Sequence, residues 1–102
     1  FLGQVEGGLV MGIGTALTEE FKLEDGIPQT KRWKDYKTPL LGDMPEMTVH
    51  LVEHPTSTGP FGAKGVGELP SIPTAPAICN AIYNAVGVRI QRLPVEPEEL
   101  VD

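Results

Sequence analysis

The sequence predicts an α+β fold: two principal helices packed with short antiparallel strands, loop-rich throughout. Three observations predict it. Apolar residues recur at helical spacing in residues 3–21 and again from Ala75 to Val86. Between these stretches lie an Asp-Gly turn and an alternating run at 47–53. Glycine and proline are dense, 12 and 10 among 102 residues, nearly twice the roughly 12 % of average usage. The chain is nevertheless 40% hydrophobic, which excludes a disordered low-complexity segment.

The first helix is expected over residues 3–21. At 100° per residue Val5, Leu9, Val10, Ile13, Ala16 and Leu17 share one face. Gln4, Gly8, Gly12 and Thr15 lie opposite, with Gly7 at the edge. Gly7, Gly8, Gly12 and Gly14 together cost on the order of 4 kcal/mol of helix propensity relative to alanine. Glycine there implies close approach of another backbone or of a ligand. Geometry alone favours tight helix packing.

Asp25-Gly26 predicts a hairpin pairing residues 19–23 with 27–31. Residues 39–45 read as loop. Residues 47–53 read as a strand, with Met47, Val49 and Leu51 on one face and Thr48, His50 and Val52 on the other. Turn residues fill 54–60, and a glycine-rich run follows, Phe61 to Glu68. Thr74 is the expected N-cap of the second helix and Ala75 its first residue. Pro76 is tolerated because first-turn amides lack an intrahelical acceptor. Ile78, Ala81, Ile82, Ala85 and Val86 form its apolar stripe. Only Asn80 and Asn84 face clearly away, so this helix is expected to be mostly covered. Gly87 is its stop. A short strand at 88–90 and a terminal helical turn at 97–100, with Pro97 first, complete the chain.

Charge and composition exclude several classes. Eight basic against 14 acidic residues give a net charge of −6, a poor match to nucleic acid. No apolar run nears the ~20 residues that span a bilayer, so no membrane partner is expected. No signal peptide is visible. One cysteine rules out an internal disulfide framework, and a reducing, cytoplasmic setting fits best. A first residue Phe1 and the heavy Gly/Pro load suggest the C-terminal portion of a longer protein.

Several residues are candidates for chemistry. The loop Gly62–Gly67 matches neither the Walker pattern nor a dinucleotide fingerprint. Its backbone N–H groups offer an anion cradle, and a plain surface loop fits the composition equally well. Glu68, beside Gly67, is a sterically uncovered carboxylate. A nearby helix N-terminus would favour its ionised form, suited to a base, although an acid that merely complements the helix dipole is the commoner case. Gln4 shares the small-residue face and can donate and accept hydrogen bonds. His50, Glu53 and His54 lack the spacing of a metal site, and no metal ligand is assigned. Cys79 falls on the buried side of the second helix, as a core thiol. Trp33 with Lys31, Arg32 and Lys34 suggests a subunit contact or a solvated loop. Glu96, Glu98 and Glu99 form an acidic tail.

Taken together, Gly3-Gln4-Val5-Glu6-Gly7-Gly8, Asp35-Tyr36-Lys37-Thr38-Pro39, Gly65-Val66-Gly67-Glu68 and Leu93-Pro94 occur in an order that resembles one family. It is the C-terminal part of the molybdenum-binding subunit of the xanthine dehydrogenase/aldehyde oxidase enzymes. The resemblance runs from Gly3 to about Leu100. It implies a fragment of a molybdopterin-binding domain that occupies residues 1–102, and an oxidoreductase that hydroxylates purines, other N-heterocycles or aldehydes with oxygen from water. It implies Glu68 as general base at the molybdenum centre. It implies Gln4, Lys64, Gly65, Val66 and Gly67 as cofactor-binding residues. The implied cofactors are molybdopterin or molybdopterin cytosine dinucleotide carrying Mo, with iron–sulfur clusters and FAD on other domains or subunits. The implied partners are the remainder of the molybdenum subunit, the iron–sulfur and flavin units and a small-molecule substrate. These residues alone are expected to bind no molybdenum and turn over no substrate. Two other classes stay open: a non-catalytic assembly module, and a small anion- or nucleotide-binding domain using the Gly62–Gly67 loop.

Overall fold

The computed structural model describes residues 1–101. Helix α1 runs Leu2–Leu17, beginning one residue earlier and ending four residues earlier than the periodicity predicts. It stops because Thr18 and Glu19 both send their N–H to the Gly14 carbonyl (3.0 and 2.8 Å). The Thr18 hydroxyl then donates to the Lys37 carbonyl at 2.6 Å, which turns the chain away.

The packed face of α1 lies between its apolar stripe and its glycines rather than on the stripe itself. Gly8, Gly12, Gly14 and Ala16 are buried. Val5, Leu9, Val10 and Ile13 are only half-buried, and Leu17 is exposed. The glycines receive other parts of the chain at contact distances that a side chain would block. A Cβ at Gly8 would sit 2.6 Å from the Pro70 Cβ. One at Gly12 would meet Thr74, and one at Gly14 would lie 2.8 Å from the Pro39 Cδ. Tight packing thus accounts for the helix propensity lost at these three positions.

After α1 comes a two-stranded antiparallel hairpin, β1 Leu23–Glu24 and β2 Ile27–Pro28, in register Leu23↔Pro28 and Glu24↔Ile27. Asp25 (φ 50°) and Gly26 (φ 78°) supply the two left-handed residues of a tight turn. The ladder is shorter than predicted. Gln29 N–H reaches the Lys22 carbonyl (2.8 Å), but the Lys22 N–H then goes to the Thr30 hydroxyl (3.0 Å) rather than to backbone. Pro28 has no N–H to give.

Residues 47–53 and 88–90 take no regular secondary structure, and neither forms a strand. A strand needs a neighbouring edge to pair with, and among the described residues the hairpin is the one sheet. The alternation survives weakly: Met47 and Val49 are half-buried, while Thr48 and His50 are exposed. Leu51 breaks the pattern at 55% exposure.

Helix α2, Thr74–Val86, begins one residue earlier than predicted, with Pro73 as its N-cap. The Thr74 hydroxyl does not cap. It donates back to the Pro70 carbonyl (2.8 Å), so the turn at 69–73 runs straight into the helix. Gly87 ends α2 in the left-handed region (φ 76°), as its position predicts. The expectation that α2 is mostly covered fails. Ile78, Cys79 and Ile82 are half-buried, while Ala81, Ala85 and Val86 are exposed. Within this chain α2 meets α1 most closely at Thr74, and an open groove lined by Leu9 and Ile13 of α1, Met47, and Ile78 and Ala81 of α2 runs beside its stripe.

The closing segment returns to the far end of α1. Val95 N–H donates to the Ala16 carbonyl (2.8 Å), and both residues are buried. Pro97–Leu100 is a 3-10 turn led by proline, as expected. The resulting body is open. Its radius of gyration is 17.0 Å, against about 13 Å for a compact domain of this length. Its 8143 Å² of accessible surface exceeds by roughly 2,500 Å² that of a globular monomer of 11.0 kDa.

Candidate functional site

The glycine-rich stretch leaves a pinned ring of chain. Gly59 (φ 88°), Phe61 (φ 54°) and Gly62 (φ 73°) take left-handed conformations. Gly62 is pressed on Pro55, where a Cβ would come within 2.6 Å of the proline Cβ. The ring is closed by Thr56 N–H to the Gly62 carbonyl (3.1 Å) and Ala63 N–H to the Pro60 carbonyl (3.0 Å).

Beyond it the backbone is bare. The amides of Lys64, Gly65, Val66 and Gly67 find no acceptor among the described residues. A Cβ at Gly65 or Gly67 would meet nothing within 4 Å. Lys64 is exposed and forms no ion pair among the described residues. This run therefore carries four successive donors without an acceptor among the described residues, and an exposed cation.

Glu68 ends this run with its side chain exposed. Its carbonyl accepts from the Ser71 N–H (3.1 Å) and the Ser71 hydroxyl (2.9 Å), which fixes the turn behind it. Pro70 in that turn is the residue that presses on Gly8 of α1. Gln4 stands one turn before Gly8, exposed. The Gly8–Pro70 contact thus joins the helix that carries Gln4 to the turn that carries Glu68. Six positions separate Glu68 from the start of α2 at Thr74.

A cleft of about 530 Å³ opens beside the loop, with Phe1, Leu51, His54, Phe61, Lys64 and Val66 in its walls. Gln4 and Glu68 stand outside those walls. The importance of Ser71 and Pro70 was not legible in the sequence; the only signal was their place just after Glu68.

Of the other candidates, Glu53 and His54 line this cleft and the rest stay outside it. His50 and His54 are exposed, and no three metal-ligating side chains come together among the described residues. Cys79 is a half-buried free thiol. The motif Asp35 to Pro39 buttresses the other end of α1. Pro39 packs on Gly14, Lys37 accepts from Thr18, and Tyr36 lies beside the Glu19 carboxylate. Partial burial, together with the Glu19 carboxylate, pushes the Tyr36 phenol up from its ordinary value.

A family described as molybdopterin cofactor-binding domain matches residues 1–45. The aldehyde oxidoreductase of Megalodesulfovibrio gigas is 44% identical over 101 residues, covering 98% of this chain and 11% of that protein. The putative xanthine dehydrogenase molybdenum-binding subunit XdhA of Escherichia coli K12 is 41% identical over 102 residues, covering 98% of this chain and 14% of that protein. Among solved structures, quinoline 2-oxidoreductase from Pseudomonas putida 86 superposes with a TM-score of 0.87 at 32% identity, over 96% of this chain and 13% of that one. The chain belongs to the family of xanthine dehydrogenase and aldehyde oxidoreductase molybdenum-binding subunits. It spans 11% to 14% of the length of these curated relatives.

Proposed function

We propose that this chain forms one wall of the cofactor site of a molybdenum hydroxylase acting on purines, other N-heterocycles or aldehydes, with Glu68 as general base. The observation that carries the reading is the run of four unpaired amides, Lys64 to Gly67, that ends at an exposed carboxylate. It fits an anionic pterin: unpaired donors and the Lys64 ammonium can meet phosphate or pterin oxygens, and the missing Cβ atoms at Gly65 and Gly67 leave room for close approach. Gln4 adds a side chain that can donate and accept toward the same ligand.

When bound, the molybdenum–pterin centre accepts the two electrons released as an electron-poor carbon gains an oxygen from water. This chain contributes a base. The Glu68 carboxylate, uncovered and backed by the Ser71 hydrogen bonds, takes up the proton of the attacking oxygen on one of its carboxylate oxygens. Gly8 and Pro70 hold that turn against α1, so the carboxylate keeps its place relative to Gln4.

The remaining walls belong to a larger molybdenum subunit in this reading. The exposed stripe of α2 and the excess of accessible surface support it, since an open body of this kind needs cover. Iron–sulfur and flavin units carry the electrons onward, and the setting is cytoplasmic. Replacing Glu68 by glutamine in the complete enzyme tests the reading: turnover falls by a factor of about 10² to 10⁴ while molybdenum and pterin content stay at the parental level.

A further inference from the structure

We propose that Thr74 is a positioning residue for Glu68, an inference that rests on Glu68 being the base. Thr74 is the buried polar side chain among the described residues, at 7% exposure. It opens α2 but does not cap it. Its hydroxyl donates to the Pro70 carbonyl at 2.8 Å. That carbonyl receives no backbone N–H among the described residues, so the Thr74 hydroxyl is what satisfies it.

The hydroxyl is aimed from the other side. A Cβ on Gly12 of α1 would stand 2.7 Å from the Thr74 methyl and 2.9 Å from its hydroxyl oxygen, so the branched side chain lies directly on bare helix backbone. With the methyl lodged there, the hydroxyl is left on the carbonyl four residues back. Pro70 is buried in turn, its ring seated on Gly8. Gly8, Gly12, Pro70 and Thr74 thus form a buried cluster made within this chain, which cover from a larger subunit can only deepen.

Glu68 lies two residues before Pro70, and its carbonyl is held by Ser71. Ser71 shapes the turn; Thr74 ties the turn to α1. Without the hydroxyl, the buried Pro70 carbonyl is unpaired, and the turn shifts to find another donor. A base displaced by about 1 Å loses rate steeply, and the loss falls on the proton step rather than on substrate affinity.

The complete enzyme carrying Thr74→Val tests this, because valine keeps the branched shape on Gly12 and removes the hydroxyl. Turnover is measured per bound molybdenum on xanthine, quinoline or benzaldehyde, whichever the parent oxidises fastest. The expected result is kcat lowered by about tenfold with KM within about twofold of the parent. Thr74→Ser, which keeps the hydroxyl, stays within about threefold of the parental kcat. In a Glu68→Gln enzyme, adding Thr74→Val lowers kcat no further, because Thr74 acts through that carboxylate. The proposal is overturned if Thr74→Val keeps the parental kcat, if it holds no molybdenum, if Thr74→Ser loses as much, or if the loss repeats in full on top of Glu68→Gln. With Glu68→Gln itself slow, those results leave the base standing and remove only the role of Thr74. Parental turnover in Glu68→Gln removes both.

Discussion

Gly12 of α1 and Thr74 of α2 meet where the helices cross, so closely that a Cβ on Gly12 would stand 2.7 Å from the Thr74 methyl. One turn earlier Gly8 meets Pro70 in the same way. These two contacts join the halves of the molecule and hold the Glu68 turn on α1.

Enlarging these glycines therefore destabilises the protein despite better helix propensity. Gly12→Val should cost about 1–3 kcal/mol through overpacking. Gly7→Ala is the counter-case. A Cβ there meets nothing within 4 Å, so the substitution should stabilise by up to about 1 kcal/mol. Denaturant unfolding of the two variants measures both signs.

Alkaline stability should depend on Tyr36. Its folded-state value is raised by partial burial and by the Glu19 carboxylate. A raised value means that the folded state holds the proton more tightly than the unfolded chain. The contribution is thus fully present below the ordinary tyrosine value of about 10 and lost as pH rises through the higher folded value. Absorbance titration of tyrosinate should show one of the two tyrosines ionising late, and Tyr36→Phe should flatten the loss of stability above that point.

Amide exchange should divide the chain in the absence of cofactor. The Lys64 to Gly67 amides have no acceptor among the described residues and should exchange nearly as fast as in an unfolded peptide. The Val95 amide, bonded to Ala16 at 2.8 Å, should be protected. Protection of 64–67 equal to that of the helices would contradict the bare-loop geometry.

The fold was legible in the sequence wherever local chemistry decides conformation. Asp25-Gly26 and Gly87 each carry the left-handed backbone their positions required. The Gly8 and Gly12 pairing with Pro70 and Thr74 matches the close approach that helix glycines imply. The sequence misled where the partner is not local. Residues 47–53 alternate like a strand but have no edge beside them, and the α2 stripe is apolar but borders an open groove. Both patterns describe contacts this chain does not make with itself. For the site, the bare loop and the exposed Glu68 could be read from Gly65, Gly67 and their neighbours. The hold exerted by Ser71 and Pro70 could not, because it comes from a turn whose geometry no local motif announces.

The most direct measurement of the central claim is steady-state turnover of the complete enzyme carrying Glu68→Gln, alongside its molybdenum and pterin content. The predicted result is turnover slowed by a factor of about 10² to 10⁴ at parental cofactor content. Turnover within a few-fold of the parent, with cofactor bound, would contradict the role assigned to Glu68.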